Sequence, residues 1–151
     1  MEGTTFKFRD GRAIEADEAY YAWISRDIDR LVAATRLKTH SVDRHHVLMA
    51  LVGETYKRRT QPRMADLCVS TAEAYLLEFA GLMKPLTDNA NGIMPNVPIF
   101  QQYATLLTEQ GNFTRAIEVC RIAMDFGLAD GTKGGFESRI KKIEKLASSR
   151  N

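Results

Sequence analysis

The sequence predicts an all-α domain built from antiparallel helical hairpins. Apolar residues recur three and four apart through most of the chain, which is the spacing of one helix face. Glycine, proline, asparagine and serine fall between those stretches, where they can end one helix and start the next. The 151 residues, 44% hydrophobic and 26% charged, suffice for one core, and this balance excludes intrinsic disorder and a fibrous chain.

Residues 1–15 read as an N-terminal arm. Thr4 to Phe8 partly alternates polar and apolar side chains and runs into the turn-forming pair Asp10-Gly11, so a short strand or ordered arm is expected. Residues 16–83 hold the first helices. Tyr20, Trp23, Ile24, Ile28, Leu31 and Val32 place a first helix from Ala16 to about Leu37. Ser41 is placed to cap the second, whose buried face is Val47, Leu48, Leu51, Val52 and Tyr56, with Lys57, Arg58 and Arg59 at a C-terminus that favours cations. A third, from Met64 to Met83, buries Leu67, Cys68, Ala72, Tyr75, Leu76 and Phe79.

Residues 84–97, with Pro85, Asn89, Asn91, Gly92, Pro95 and Asn96, read as a loop holding at most one helical turn. Residues 98–127 form a hairpin: Phe100, Tyr103, Ala104, Leu106 and Leu107 on one helix, a turn at Gly111-Asn112, then Phe113, Ala116, Ile117, Cys120, Ala123 and Met124, ended by Gly127. Residues 128–151 supply a capping helix from about Gly135 to Ala147, followed by a tail. Phe136, Ile140, Ile143 and Leu146 are its apolar face, and Lys141, Lys142 and Lys145 are solvated.

Phe100, Tyr103, Ala104 and Leu107, Gly111 and Phe113 at the turn, then Ala116, Cys120 and Ala123 resemble a tetratricopeptide repeat, a helical hairpin of about 34 residues. Small side chains at Ala104, Ala116 and Ala123 would let the two helices approach closely. Leu128 stands where the family often has proline. Val52, Gly53 and Tyr56 followed by Ala65, Val69 and Ala72 resemble a weaker copy, with Thr60 and Pro62 at its turn. The stretch DGTKGGFESR, Asp130 to Arg139, resembles the end of tetratricopeptide-like C-terminal regions of uncharacterised bacterial proteins. The resemblance implies a fold of stacked hairpins and a peptide or protein partner held by first helices. It places Gln101 and Thr105, with Ala50 and Glu54 in the weaker copy, where the family's carboxylate clamp for chaperone C-termini has Lys and Asn. That ligand is therefore not expected.

No chemistry beyond binding is expected, and neither cofactor nor metal. His45 and His46 are adjacent and point about 100° apart on a helix, a poor geometry for one metal, so solvated or capping histidines are expected, His40 included. Cys68 and Cys120 lie far apart in apolar patterns, as small core residues of a reducing compartment would. Asp27 and Asp29 diverge on a helix and make no acid–base couple. Thr132 to Gly135 reads as a turn and cap, the alternative being an anion site.

The net charge of +2 is too small to point to nucleic acid, but it is uneven. Residues 36–63 carry seven Lys/Arg against two acids, while residues 64–98 carry four acids against one Lys. No apolar run approaches the roughly 20 residues that cross a bilayer, and charges interrupt the first residues where a signal peptide is apolar, so a cytoplasmic protein is expected. The expected function is a noncatalytic protein-interaction module, with a second copy of the chain among its expected partners. The expected contact residues are Tyr21, Gln101, Thr105, Arg58 and Arg59. The alternative is a nucleic-acid-associated accessory domain using residues 36–63, where Arg36, Lys38, Arg44, Lys57, Arg58, Arg59 and Arg63 could meet phosphates.

Overall fold

The structure, a computed structural model, describes residues 5–92 and 96–150. They fold into two strands and seven helices: β1 (Phe6–Arg9), β2 (Arg12–Glu15), α1 (Glu18–Ser25), α2 (Ile28–Ala34), α3 (Ser41–Lys57), α4 (Pro62–Asn89), α5 (Ile99–Glu109), α6 (Phe113–Asp125) and α7 (Gly135–Ser149). No helix among the described residues is long and apolar enough to cross a membrane.

Residues 6–15 of the arm form a β-hairpin. Asp10 and Gly11 both take positive φ, 56° and 75°, the conformation a two-residue hairpin turn requires, and β1 pairs antiparallel with β2. Thr4 lies outside the described residues. The hairpin is turned against its hydrophobicity: Lys7 and Arg9 are buried, while Phe6 and Phe8 are 63% and 70% exposed. The inward cations converge on Asp43 of α3, which also accepts a hydrogen bond from Trp23 Nε1 at 3.1 Å. Lys7 Nζ donates in addition to Asp17 Oδ1 at 3.0 Å.

The single helix expected over residues 16–37 is two helices. Arg26 adopts the left-handed conformation that ends α1, and Asp27 then caps α2 by accepting from the Arg30 amide. Ala19 and Ala22 are buried from α1, whereas Ile24 of the expected stripe is half exposed. His40, rather than Ser41, is the N-cap of α3, its Nδ1 accepting from the Val42 amide at 3.1 Å.

Most of α3 is buried, as befits a helix packed on several sides. Val47, Ala50 and Leu51 join Leu31 and Ala34 of α2 and the two alanines of α1 in one core cluster; Leu48 and Val52 enter the larger cluster that runs through α4, α5, α6 and α7. Cys68 approaches the Val52 carbonyl near the turn, Tyr75 meets His45 further out, and Glu78 pairs with Arg44 further still, so α4 runs back along α3. The expected end of this helix at Met83 is too early. Pro85 sits inside α4, which continues to Asn89, and the expected 84–97 loop shrinks accordingly. Pro95 of that loop lies outside the described residues.

Beyond it, α5 packs on α3 and α4, α6 on α5, and α7 on α6. At Gly127 (φ 73°), the Leu128 amide bonds back to the Ala123 carbonyl, closing α6 as its glycine foretold. Polar ties reinforce the stack. The Tyr103 hydroxyl of α5 donates to Glu73 of α4, and Arg115 of α6 grips the same carboxylate through Nε at 3.0 Å and Nη2 at 2.7 Å.

Candidate interaction face on the third, fifth and seventh helices

Pro98, Gln102, Thr105 and Glu109 recur four, three and four apart, so they form one stripe along α5 and its cap. This stripe opens on two hollows. Toward α3, Pro98 and Gln102 line a hollow of about 370 Å³ with Met49, Ala50 and Gly53, flanked by Arg26 and Asn96. Toward α7, Thr105 and Glu109 with Thr108 line a second of about 200 Å³, closed by Arg139, Lys142, Ile143 and Leu146.

Gly53 contributes no side chain to the first hollow. A Cβ there would lie 3.4 Å from Arg26 Nη2, in the space between α3 and the α1–α2 corner. Its polar features are specific. Gln102 Oε1 is buried without a hydrogen-bond partner, leaving an acceptor unsatisfied beside the groove. The Arg26 guanidinium is held by Glu54, Nε to Oε2 at 2.7 Å, and Lys57 and Arg58 reach the same carboxylate at 3.1 and 3.3 Å. Burial works against ionising Glu54, but the hydrogen bonds from Arg26, Lys57 and Arg58 hold its carboxyl well below the usual range.

Gln101 and Thr105 are covered by the chain's own C-terminal segment. Gln101 Nε2 points at the Asp130 carbonyl at 3.5 Å, and Thr105 Oγ1 accepts from Arg139 Nη1 at 3.1 Å. Thr105 still lines the α5–α7 hollow; Gln101 lines neither, though its Oε1 is also buried and unpartnered. Tyr21 is half-buried on α1, edge-on to Tyr20 at 5.7 Å, and lines neither hollow. Arg58 turns inward to Glu54, and Arg59 clasps Glu109 at 2.7 Å while its guanidinium lies 4.0 Å from the Tyr56 ring centroid. Arg44 is likewise engaged by Glu78. Gly53, Gln102, Arg139, Lys142 and Leu146 line the hollows without being among the expected contact residues. The α5 spacing could have indicated Gln102; the others depend on which helices become neighbours.

The remaining candidate chemistry resolves into structure. Asp130 is buried and accepts from the Thr132 amide at 2.9 Å and its hydroxyl at 2.5 Å; Thr132 Oγ1 accepts from the Gly135 amide at 3.1 Å, and Arg139 Nε donates to Asp130 at 3.1 Å. The amides of Thr132 and Gly135 are thus satisfied within a turn. A Cβ on Gly134 would lie 2.5 Å from the Ser138 Cβ, so glycine is sterically required there.

Of the histidines, His40 caps α3 in place of Ser41, and His46 stacks on Trp23 with centroids 4.4 Å apart. His45 is neither solvated nor capping: it is fully buried, Nδ1 2.9 Å from the Tyr75 hydroxyl, and burial, with the neighbouring His46, pushes its pKa down to about 3. Cys68 and Cys120 are free and buried, and burial raises both thiols, Cys120 to about 11. Among the described residues no group of three or more His, Cys, Asp or Glu could hold a metal ion. Compared with protein-family models, curated proteins and solved structures, the chain matches none.

Proposed function

We propose that this chain is a noncatalytic interaction module that holds a protein or peptide segment along the face of α3, α5 and α7. The observation that carries the reading is the α5 stripe, which opens on a hollow at each side while its opposite face is core. In this reading α3–α4 and α5–α6 are tetratricopeptide-like hairpins, the short α1 and α2 precede them, and α7 caps the stack. Each hairpin's first helix contributes to the face. A polar, partly apolar groove suits a bound chain. Two buried free thiols fit a reducing, cytoplasmic setting.

The nucleic-acid alternative has less support, because Arg44, Lys57, Arg58 and Arg59 face Glu78, Glu54 and Glu109 of the same chain. The test is crosslinking in native lysate coupled to solution mass, with Lys57 and Lys142 as reporters on the face. Crosslinks from these lysines to another protein, or to a second copy, are expected, and Gly53→Trp should abolish those from Lys57 by filling its hollow. A monomeric mass with no crosslink from either lysine would overturn the proposal.

A further inference from the structure

The α5–α7 hollow has a charge pattern that its neighbour lacks. Its floor is made by Thr105, Thr108, Ile143 and Leu146, and Leu146 is 45% exposed. Along the α7 side stand Arg139 and Lys142, with Lys145 one turn beyond on the same flank. Lys142 also lines the concavity before α7, so the cationic edge is continuous past the hollow.

The acids nearby are already engaged: Glu109 with Arg59 at 2.7 Å, and Asp130 with Arg139 at 3.1 Å. Glu137 and Glu144 lie on the far side of α7, either side of Lys141. Lys142 and Lys145 are exposed and have no acidic partner among the described residues. An apolar floor beside two uncompensated ammonium groups selects one kind of occupant.

We infer that this hollow takes an acidic linear segment of a partner protein, one apolar side chain seated against Ile143 and Leu146 and flanking carboxylates on Lys142 and Lys145. The inference rests on the interaction-module reading and names the partner's chemistry. From Arg139 to Leu146 the helix advances roughly 10 Å, the span of about three extended residues. One anchor with an acid on each side therefore fills it.

The test begins with a random dodecapeptide display library selected on the purified chain, followed by anisotropy titrations of the retained peptides and of a synthetic probe with a Leu-Phe pair between glutamates. Retained peptides should be acidic around an apolar residue. The probe should weaken about tenfold or more against Lys142→Glu/Lys145→Glu and with added salt, since rim charges set attraction and its screening. It should be indifferent to Gly53→Trp. Both lysines are exposed, so the reversed variant keeps its fold, checked by helical circular dichroism. Peptides that ignore the charge reversal but are lost with Gly53→Trp would overturn this inference and leave the interaction module standing. No retained peptide at all would overturn both.

Discussion

The Arg9 guanidinium straddles the carboxylate of Asp43, with Nε 3.1 Å from Oδ2 and Nη2 2.8 Å from Oδ1, in a setting where the acid is wholly buried and the arginine nearly so. Lys7 joins the same carboxylate and also bonds Asp17, so two anions meet the two inward cations of the hairpin. Although burial opposes it, the bonds from Arg9, Lys7 and Trp23 hold the Asp43 carboxyl below its usual range.

Removing that anion would leave Arg9 buried without a counter-charge and Lys7 with Asp17 alone. Asp43→Ala should therefore cost about 3–5 kcal/mol, the penalty of breaking rather than replacing a buried ion pair. Urea unfolding measures it. Limited proteolysis should show cleavage between Glu15 and Glu18 rising in parallel, because the hairpin docks through charge instead of apolar contact. An apolar triple replacement, Lys7→Met, Arg9→Met and Asp43→Leu, should recover most of the loss. If Asp43→Ala unfolds at the wild-type midpoint, the cluster is not what holds the hairpin.

His45 makes a prediction in pH. Its folded pKa, pushed down to about 3 by burial and by His46, lies below the value near 6.5 of an exposed histidine, so the unfolded chain binds the extra proton first. Stability from this group is complete above pH 6.5 and falls as the pH drops toward 3, by at most about 1.4 kcal/mol per unit. His46 is also lowered, by burial and then Arg9, and adds a second proton of the same sign. Urea midpoints at pH 7, 6 and 5 should fall steadily, and His45→Asn should flatten the fall without removing it. An unchanged slope would show that His45 keeps an ordinary pKa.

The same elements show what a sequence can and cannot disclose. Phe100, Tyr103 and Leu107 with Ala116, Cys120 and Ala123 were legible because helix spacing and burial coincide there, and Gly127 ends α6 by a local rule. The break at Arg26 was not. Apolar spacing runs on through Ile24 and Ile28, and nothing in an arginine announces a left-handed backbone. Alternation in β1 defines two faces but not which one turns inward; Asp43, distant in sequence, decides that. The candidate face suffered similarly. The repeat pattern pointed to Gln101 and Thr105, but the folded-back Asp130 and Arg139 lie on them, and Gln102 stands at the open hollow instead.

Helix α4 offers a prediction where the expectation was a loop. Gly81 is an exposed helical residue, and a Cβ added there would meet nothing within 4 Å, so Gly81→Ala should stabilise the chain by roughly 0.5–1 kcal/mol. Four residues on, Pro85 denies the Gly81 carbonyl its helical donor, and Pro85→Ala should add about 1–3 kcal/mol. Thermal or urea midpoints that fail to rise for either variant would mean that the helix does not persist past Met83 in solution.

The last prediction concerns the tie across α4, α5 and α6. Tyr103 is buried, and its hydroxyl has Glu73 as acceptor, while Arg115 holds both oxygens of that carboxylate. Burial, then the hydrogen bond to Glu73, raises the Tyr103 pKa, so the phenol stays protonated and keeps donating. Glu73→Ala strands that hydroxyl and should cost about 1–3 kcal/mol. Arg115→Ala should cost about 1 kcal/mol or less, because the pair it breaks is open to solvent and screened. Tyr103→Phe removes the stranded donor along with its bond, so adding it to Glu73→Ala should cost less than the two changes summed, with a coupling of about 0.5–2 kcal/mol in a double-mutant cycle. Additive losses would mean that the hydroxyl finds another acceptor, and that the three helices are held by packing alone.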